Sequence, residues 1–203
     1  MKNIIYISIC FAMSCMLVPC MAQDAMAKFN EAQVSYSSKD LENSRYALQL
    51  ALIEINKSIG KDILAILPAK LSDVAFNTAD DNVNGAAGFA GLFVNRTYGN
   101  SDMPKSGKIE IISDSPMITA LNAMLAMPAM FAASDPNEKR LKISGYKSLL
   151  KKSISETNVV SYTLQVPMNQ TLLTLTVSGI NSESEVIAFA NSLPIDKIAK
   201  VAE

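Results

Sequence analysis

Residues 159–179 read VVSYTLQVPMNQTLLTLTVSG, and this stretch decides the fold class. Two runs rich in β-branched and large apolar residues, 159–168 and 171–179, meet at the turn residues 167–170. Such runs fit a pleated, half-buried surface, and a connection this short joins antiparallel neighbours. In the second run Leu173, Leu175 and Val177 point one way while Thr174, Thr176 and Ser178 point the other. The sheet therefore has one apolar face and one that is wet or meets a partner.

Outward from this hairpin, turn residues separate further strands at 87–98, 108–113 and 140–150. Helices are expected at 117–133 and 182–192, the second opened by a capping box of Ser182 and Glu185 and closed before Pro194. Residues 195–201 add a last turn. A block of strands with helices at its ends is an α+β arrangement, an antiparallel sheet covered on one face by helices. From residue 108 onward the order is similar to small secreted α+β domains of the PsbP kind, a resemblance that implies a fold and no activity.

Upstream of the sheet the period changes to that of a helix. Phe29, Ala32 and Tyr36 fall on one stripe, and Leu41, Leu48, Leu52, Ile55 and Ile59 on another. The break at Tyr36-Ser37-Ser38 makes this an antiparallel helical hairpin. Ser37 or Ser38 can cap the second helix, with Asp40 and Glu42 in its first turn. Ala32, Lys39-Asp40-Leu41, Ser44, Leu48 and Ala51-Leu52 fall where a tetratricopeptide unit places its small and large packing residues, so residues 25–57 resemble one such hairpin. Lys39 stands where that family prefers Gly and Asn56 where it prefers Pro, and no second copy follows, although one unit cannot bury its own face. A short helix at 61–67 stops at Pro68. The expected division is a signal peptide at 1–22, a helical hairpin plus short helix at 23–69, and an α+β sheet domain at 70–203.

The first residues carry Lys2, an apolar run at 4–18 and then Cys20-Met21-Ala22, the charged, apolar, small-residue order of a cleavable export signal. Cleavage after Ala22 would send the protein to the periplasm or the extracellular space of a bacterium, with no integral span in the mature chain. All three cysteines, Cys10, Cys15 and Cys20, lie in this segment, so the mature chain forms no disulfide. Lipid attachment at Cys15 or Cys20 is the less favoured alternative, because Pro19 and Ala12 fit lipoprotein processing poorly.

The chain contains no histidine, which removes the Ser-His-Asp triad, zinc-hydrolase sites and most proton shuttles. Without Lys2 the 18 basic residues become 17, against 19 acidic ones, and no run of one sign exceeds Lys151-Lys152. This balance gives no reason to expect nucleic acid. No cofactor is expected.

Three features could still carry chemistry. The 117–133 helix holds Met117, Met124, Met127, Met130 and Phe131 with few polar interruptions, so it is buried, enters a membrane or meets a partner or hydrophobic ligand. Pro128 should kink or end it near Ala126 or Met127. Met124, Met127 and Met130 at steps of three would suit Cu(I) on an unbroken helix, but packing is the plainer reading. Asp80-Asp81-Asn82-Val83-Asn84-Gly85 reproduces the start of a calcium loop, with Asp80, Asn82 and Asn84 as candidate ligands. Its twelfth position is Gly91 rather than glutamate, so a polar turn leading into a strand is the plainer reading. Gly85, Gly88 and Gly91 lack the nucleotide fingerprint and would let a strand approach a helix closely.

Together these features lead to an exported, non-enzymatic binding or assembly module that acts on a protein partner or on itself. Two alternatives stay open. A carrier of a hydrophobic ligand requires an apolar cavity beside residues 117–131, and a carboxylate-based hydrolase requires two acidic side chains converging with raised pKa values.

Overall fold

The computed structural model describes residues 20–85, 91–100, 103–127, 135–180 and 182–202. Residues 1–19, most of the predicted export signal, lie outside them. The chain divides into two compact units, residues 1–51 and 52–203.

The first unit holds helix α1 (Cys20–Ser37) and the start of helix α2 (Leu41–Ile66). The expected break at Tyr36-Ser37-Ser38 is present, but the cap is not a serine. The Ser37 and Ser38 hydroxyls donate back to the carbonyls of Gln33 and Ser35. Asp40 does the capping, its carboxylate accepting from the Asn43 backbone N–H at 3.2 Å and from the Asn43 side chain at 2.6 Å. Lys39 turns the chain at φ +63°, a left-handed conformation that glycine adopts without strain. The separate helix expected at 61–67 is the last part of α2, which runs unbroken to Ile66. The two units meet inside α2, between Ala51 and Leu52.

The second unit is built on a seven-stranded, fully antiparallel sheet. It consists of β3 (Asn82–Asn84), β4 (Phe93–Tyr98), β5 (Ser106–Ser113), β6 (Glu138–Ile143), β7 (Tyr146–Ile154), β8 (Val160–Met168) and β9 (Thr171–Ser178). Their order is β3-β4-β5-β9-β8-β7-β6. A two-stranded ribbon, β1 (Lys70–Leu71) and β2 (Val74–Ala75), precedes them. The 159–179 stretch forms the β8–β9 hairpin with Met168 opposite Thr171, so the loop is Asn169-Gln170, Asn169 taking φ +43°. Pro167 sits inside β8, beyond its last β7 partner at Gln165, where its missing N–H leaves no ladder bond unmade. The single strand expected at 140–150 is two strands. Ile143 pairs with Tyr146 around Ser144-Gly145, whose φ values of +49° and +89° match the two-residue turns that suit strand twist.

One sheet face carries the main core. Val94, Ile109, Ile111, Leu150, Leu164, Val166, Leu173, Leu175 and Val177 pack against Ile63 and Leu67 at the end of α2. The same cluster takes in α4 (Glu183–Ser192) through Val186 and Ala190, and α5 (Ile195–Ala202) through Ile198 and Ala199. Gly60 lets α2 lie close, because a Cβ there would sit 2.4 Å from Val83 Cγ1. Ser182 caps α4, accepting from the Glu185 N–H, whereas the Glu185 side chain takes a bond from Ser72 Oγ instead of closing the box. The other face is not wholly wet. Helix α3 (Met117–Ala126) packs Ile118, Leu121 and Leu125 on Leu149 and Leu172, which alternate with the core residues Leu150 and Leu173.

The junction between α2 and the sheet is polar and closed. Arg96 of β4, 5% exposed, donates from Nε and Nη2 to the two Asp81 carboxylate oxygens at 3.0 and 2.6 Å. Its Nη1 donates to the Leu67 carbonyl, and its guanidinium lies 4.0 Å from the centre of the Phe76 ring. Burial works against the guanidinium charge, and Asp81 more than offsets it, so the Arg96 pKa stands above its ordinary value. Tyr98, fully buried, donates its hydroxyl to the Pro68 carbonyl at 2.9 Å, and burial pushes its pKa up to about 12 despite Arg96 nearby.

Candidate functional site

Most of the large apolar side chains left exposed among the described residues lie in the first unit. Small residues make the contact between its helices: Ala32, Ser44, Ala47 and Ala51 are buried, and Ser44 Oγ donates to the Ala32 carbonyl at 2.9 Å. Small side chains bring the backbones close and leave the large ones outside. Phe29 is 43% exposed, Tyr36 69%, Leu41 62% and Leu48 48%. At roughly 100° per residue, Phe29 and Tyr36 lie about 40–60° round α1 from Ala32. Leu41 and Leu48 lie about 40–80° round α2, in the same rotational sense, from Ser44 and Ala51. Because the helices run antiparallel, equal rotations bring both pairs to the same face of the hairpin. The leucine stripe expected to pack the hairpin is thus, at Leu41 and Leu48, its outer surface. Lys28, which donates to Glu31 at 2.8 Å, is on the opposite side together with Tyr46.

The methionine helix ends where Pro128 was expected to kink or end it. Met127 is extended at ψ 137°, as Pro128 requires of the residue before it, and α3 stops at Ala126. Met117 and Met127 are about half exposed, whereas Met124 packs on the cluster under α3. Met130 and Phe131 lie outside the described residues, so the copper trio cannot be assembled from those that are described.

The calcium-loop candidate is not a loop. Asp80 closes a 3-10 turn (Thr78–Asp80), with its carboxylate accepting from Asn77 Nδ2, while Asn82 and Asn84 stand in β3 opposite Asn95 and Phe93. An extended strand cannot bend these oxygens round one ion. Among the described residues no group of three or more His, Cys, Asp or Glu could hold a metal. Gly85 does allow close approach to a helix, since a Cβ there would fall 2.2 Å from the Ile53 carbonyl oxygen of α2. Gly88 lies outside the described residues.

A cleft of about 440 Å³ is lined by Asp73, Val74, Ala75, Met103, Pro104 and Lys105. The Lys105 ammonium stands 3.6 Å from Asp73 and 3.9 Å from Glu185, so two carboxylates share one cation at its rim. Asp73 is held below the ordinary carboxylate range, first by its own backbone N–H and then by Lys105. That is opposite to the raised pKa a general acid needs.

The register also gathers a cluster that linear sequence conceals. Lys142 faces Lys147 directly across β6 and β7, and Arg140 follows on the same face.

Comparison of the chain with protein-family models, curated proteins and solved structures finds no match. The site must therefore be read from its own chemistry. Among the described residues no helix is long and apolar enough to cross a membrane.

Proposed function

We propose that this protein is an exported, non-catalytic binding or assembly module of the bacterial envelope, engaging a protein partner through the apolar face of its helical hairpin. The carrying observation is the inversion of side-chain size: Ala and Ser inside, Phe29, Tyr36, Leu41 and Leu48 outside. Each such side chain contributes about 1.5–3 kcal/mol when removed from water, so a partner presenting a matching helical surface has a strong driving force. A second copy of the same face is the simplest such partner, because an isologous pairing turns two exposed hairpins into a four-helix layer.

Native mass spectrometry of residues 23–203 tests this. The wild-type chain is expected to give a dimer or a retained protein partner. Leu48→Glu should weaken that association at least about tenfold, since a buried unpaired carboxylate is disfavoured, without loss of helical circular dichroism. A monomer that stays bare when purified from its own envelope would sink the reading. The apolar cleft beside Met103 supports a second reading, a carrier of a small hydrophobic ligand. A retained small-molecule mass in the same spectrum would favour it.

A further inference from the structure

We infer that the β6–β7 end of the sheet, with the exposed Met127 that follows α3, is a docking surface for an anionic lipid bilayer. The inference lies on the second unit and does not depend on the hairpin.

Arg140, Lys142 and Lys147 share one face of the β6–β7 hairpin: Arg140 and Lys142 alternate on β6, and Lys147 stands directly opposite Lys142. Neither lysine has an ion-pair partner among the described residues, and both are exposed. The nearest acid on this face, Glu138, is already taken by Lys151 at 3.1 Å. Like charges directly opposite across a strand pair destabilise a sheet. A sequence that places Lys142 and Lys147 beside Arg140 in a chain of net charge −1 concentrates positive potential on this face, with no ion pair for either lysine among the described residues.

The apolar half of the surface adjoins this cluster. Arg140 donates to the Met127 carbonyl at 2.6 Å, which brings the end of α3 against the cations. Helix α3 carries no charged residue, and Met127 and Met117 are 49% and 54% exposed. Cations beside unbranched apolar side chains suit an interface that is anionic at the headgroups and apolar just beneath. A nucleic acid would instead call for a longer basic stripe with stacking aromatics, and here Arg140 is followed by Leu149 under α3 and by the Glu138–Lys151 pair.

Sedimentation of the full chain with phosphatidylcholine vesicles, with and without phosphatidylglycerol, tests the assignment. Binding is expected only when phosphatidylglycerol is present, and to fall as salt is raised. Each lysine near such a surface strengthens binding about fivefold, so the K142Q/K147Q double variant should bind about 25-fold more weakly. Its melting temperature should be unchanged or higher, because the like-charge pair is relieved. Met127→Ser should weaken binding without altering the salt dependence. The inference is overturned by failure to bind phosphatidylglycerol vesicles, by equal binding to neutral ones, or by a double variant that binds like the wild type. Retention on soluble heparin without vesicle binding would reassign the cluster to a soluble polyanion and overturn it too.

Discussion

Arg96→Ala is expected to lower the unfolding free energy by about 3–5 kcal/mol, the usual consequence of removing one partner from a buried ion pair. The loss has three sources. Asp81, whose side chain is only 14% exposed, is left with no guanidinium to receive. The Leu67 carbonyl loses its donor just where α2 ends, and the Phe76 ring loses the cation above it. Chemical denaturation of the single variant measures the sum. An Arg96→Met, Asp81→Leu pair should recover most of it, since apolar replacement of both partners is often near neutral. A single-variant loss below about 1 kcal/mol would show that water reaches the pair and that the clamp is weak.

The second large effect is an alkaline one. Folded Tyr98 has a pKa of about 12, against about 10 for an unfolded tyrosine. Below pH 10 the phenol is protonated in both states and contributes nothing to the pH dependence. Between the two values the unfolded chain gives up its proton while the folded one cannot, so stability falls as pH rises. The two-unit gap corresponds to roughly 2–3 kcal/mol by pH 12. Urea titrations across this range should show the fall in the wild type and a flatter dependence in Tyr98→Phe, which keeps the ring and loses only the hydroxyl donated to Pro68. Identical slopes in the two proteins would assign the alkaline loss to other groups.

Much of the fold could be read from sequence where one local rule dominated. Alternation fixed the faces of β9, Pro68 and Pro128 set helix ends, and Ser182 marked the start of α4. Legibility failed where a longer-range contact overrode the local rule. Gly60 reads as a weak point in a helix, yet its missing side chain makes room for Val83 and α2 continues through it. Ser144-Gly145 lies in a stretch alternating evenly enough to pass for one strand, and only the turn chemistry of Ser-Gly could have divided it. The leucines of α2 were expected to pack because large apolar residues usually do. The alanines beside them allow a closer approach and take the contact. The cations of β6 and β7 are unremarkable in sequence because Lys142 and Lys147 are brought together by pairing alone.

The strand order also bears on how the chain finds its fold. Strands β6 to β9 form an unbroken meander, each paired with its neighbour in sequence, whereas β3, β4 and β5 join it solely through β5 against β9. That seam brings Ile109 to Leu175 across some two fifths of the second unit, with a loop-closure entropy none of the hairpins bears. The meander is therefore expected to form first and present β9 as a template. Pulsed hydrogen exchange during refolding should find β8 amides protected before those of β4. Simultaneous protection would mean that the seam itself is the nucleus.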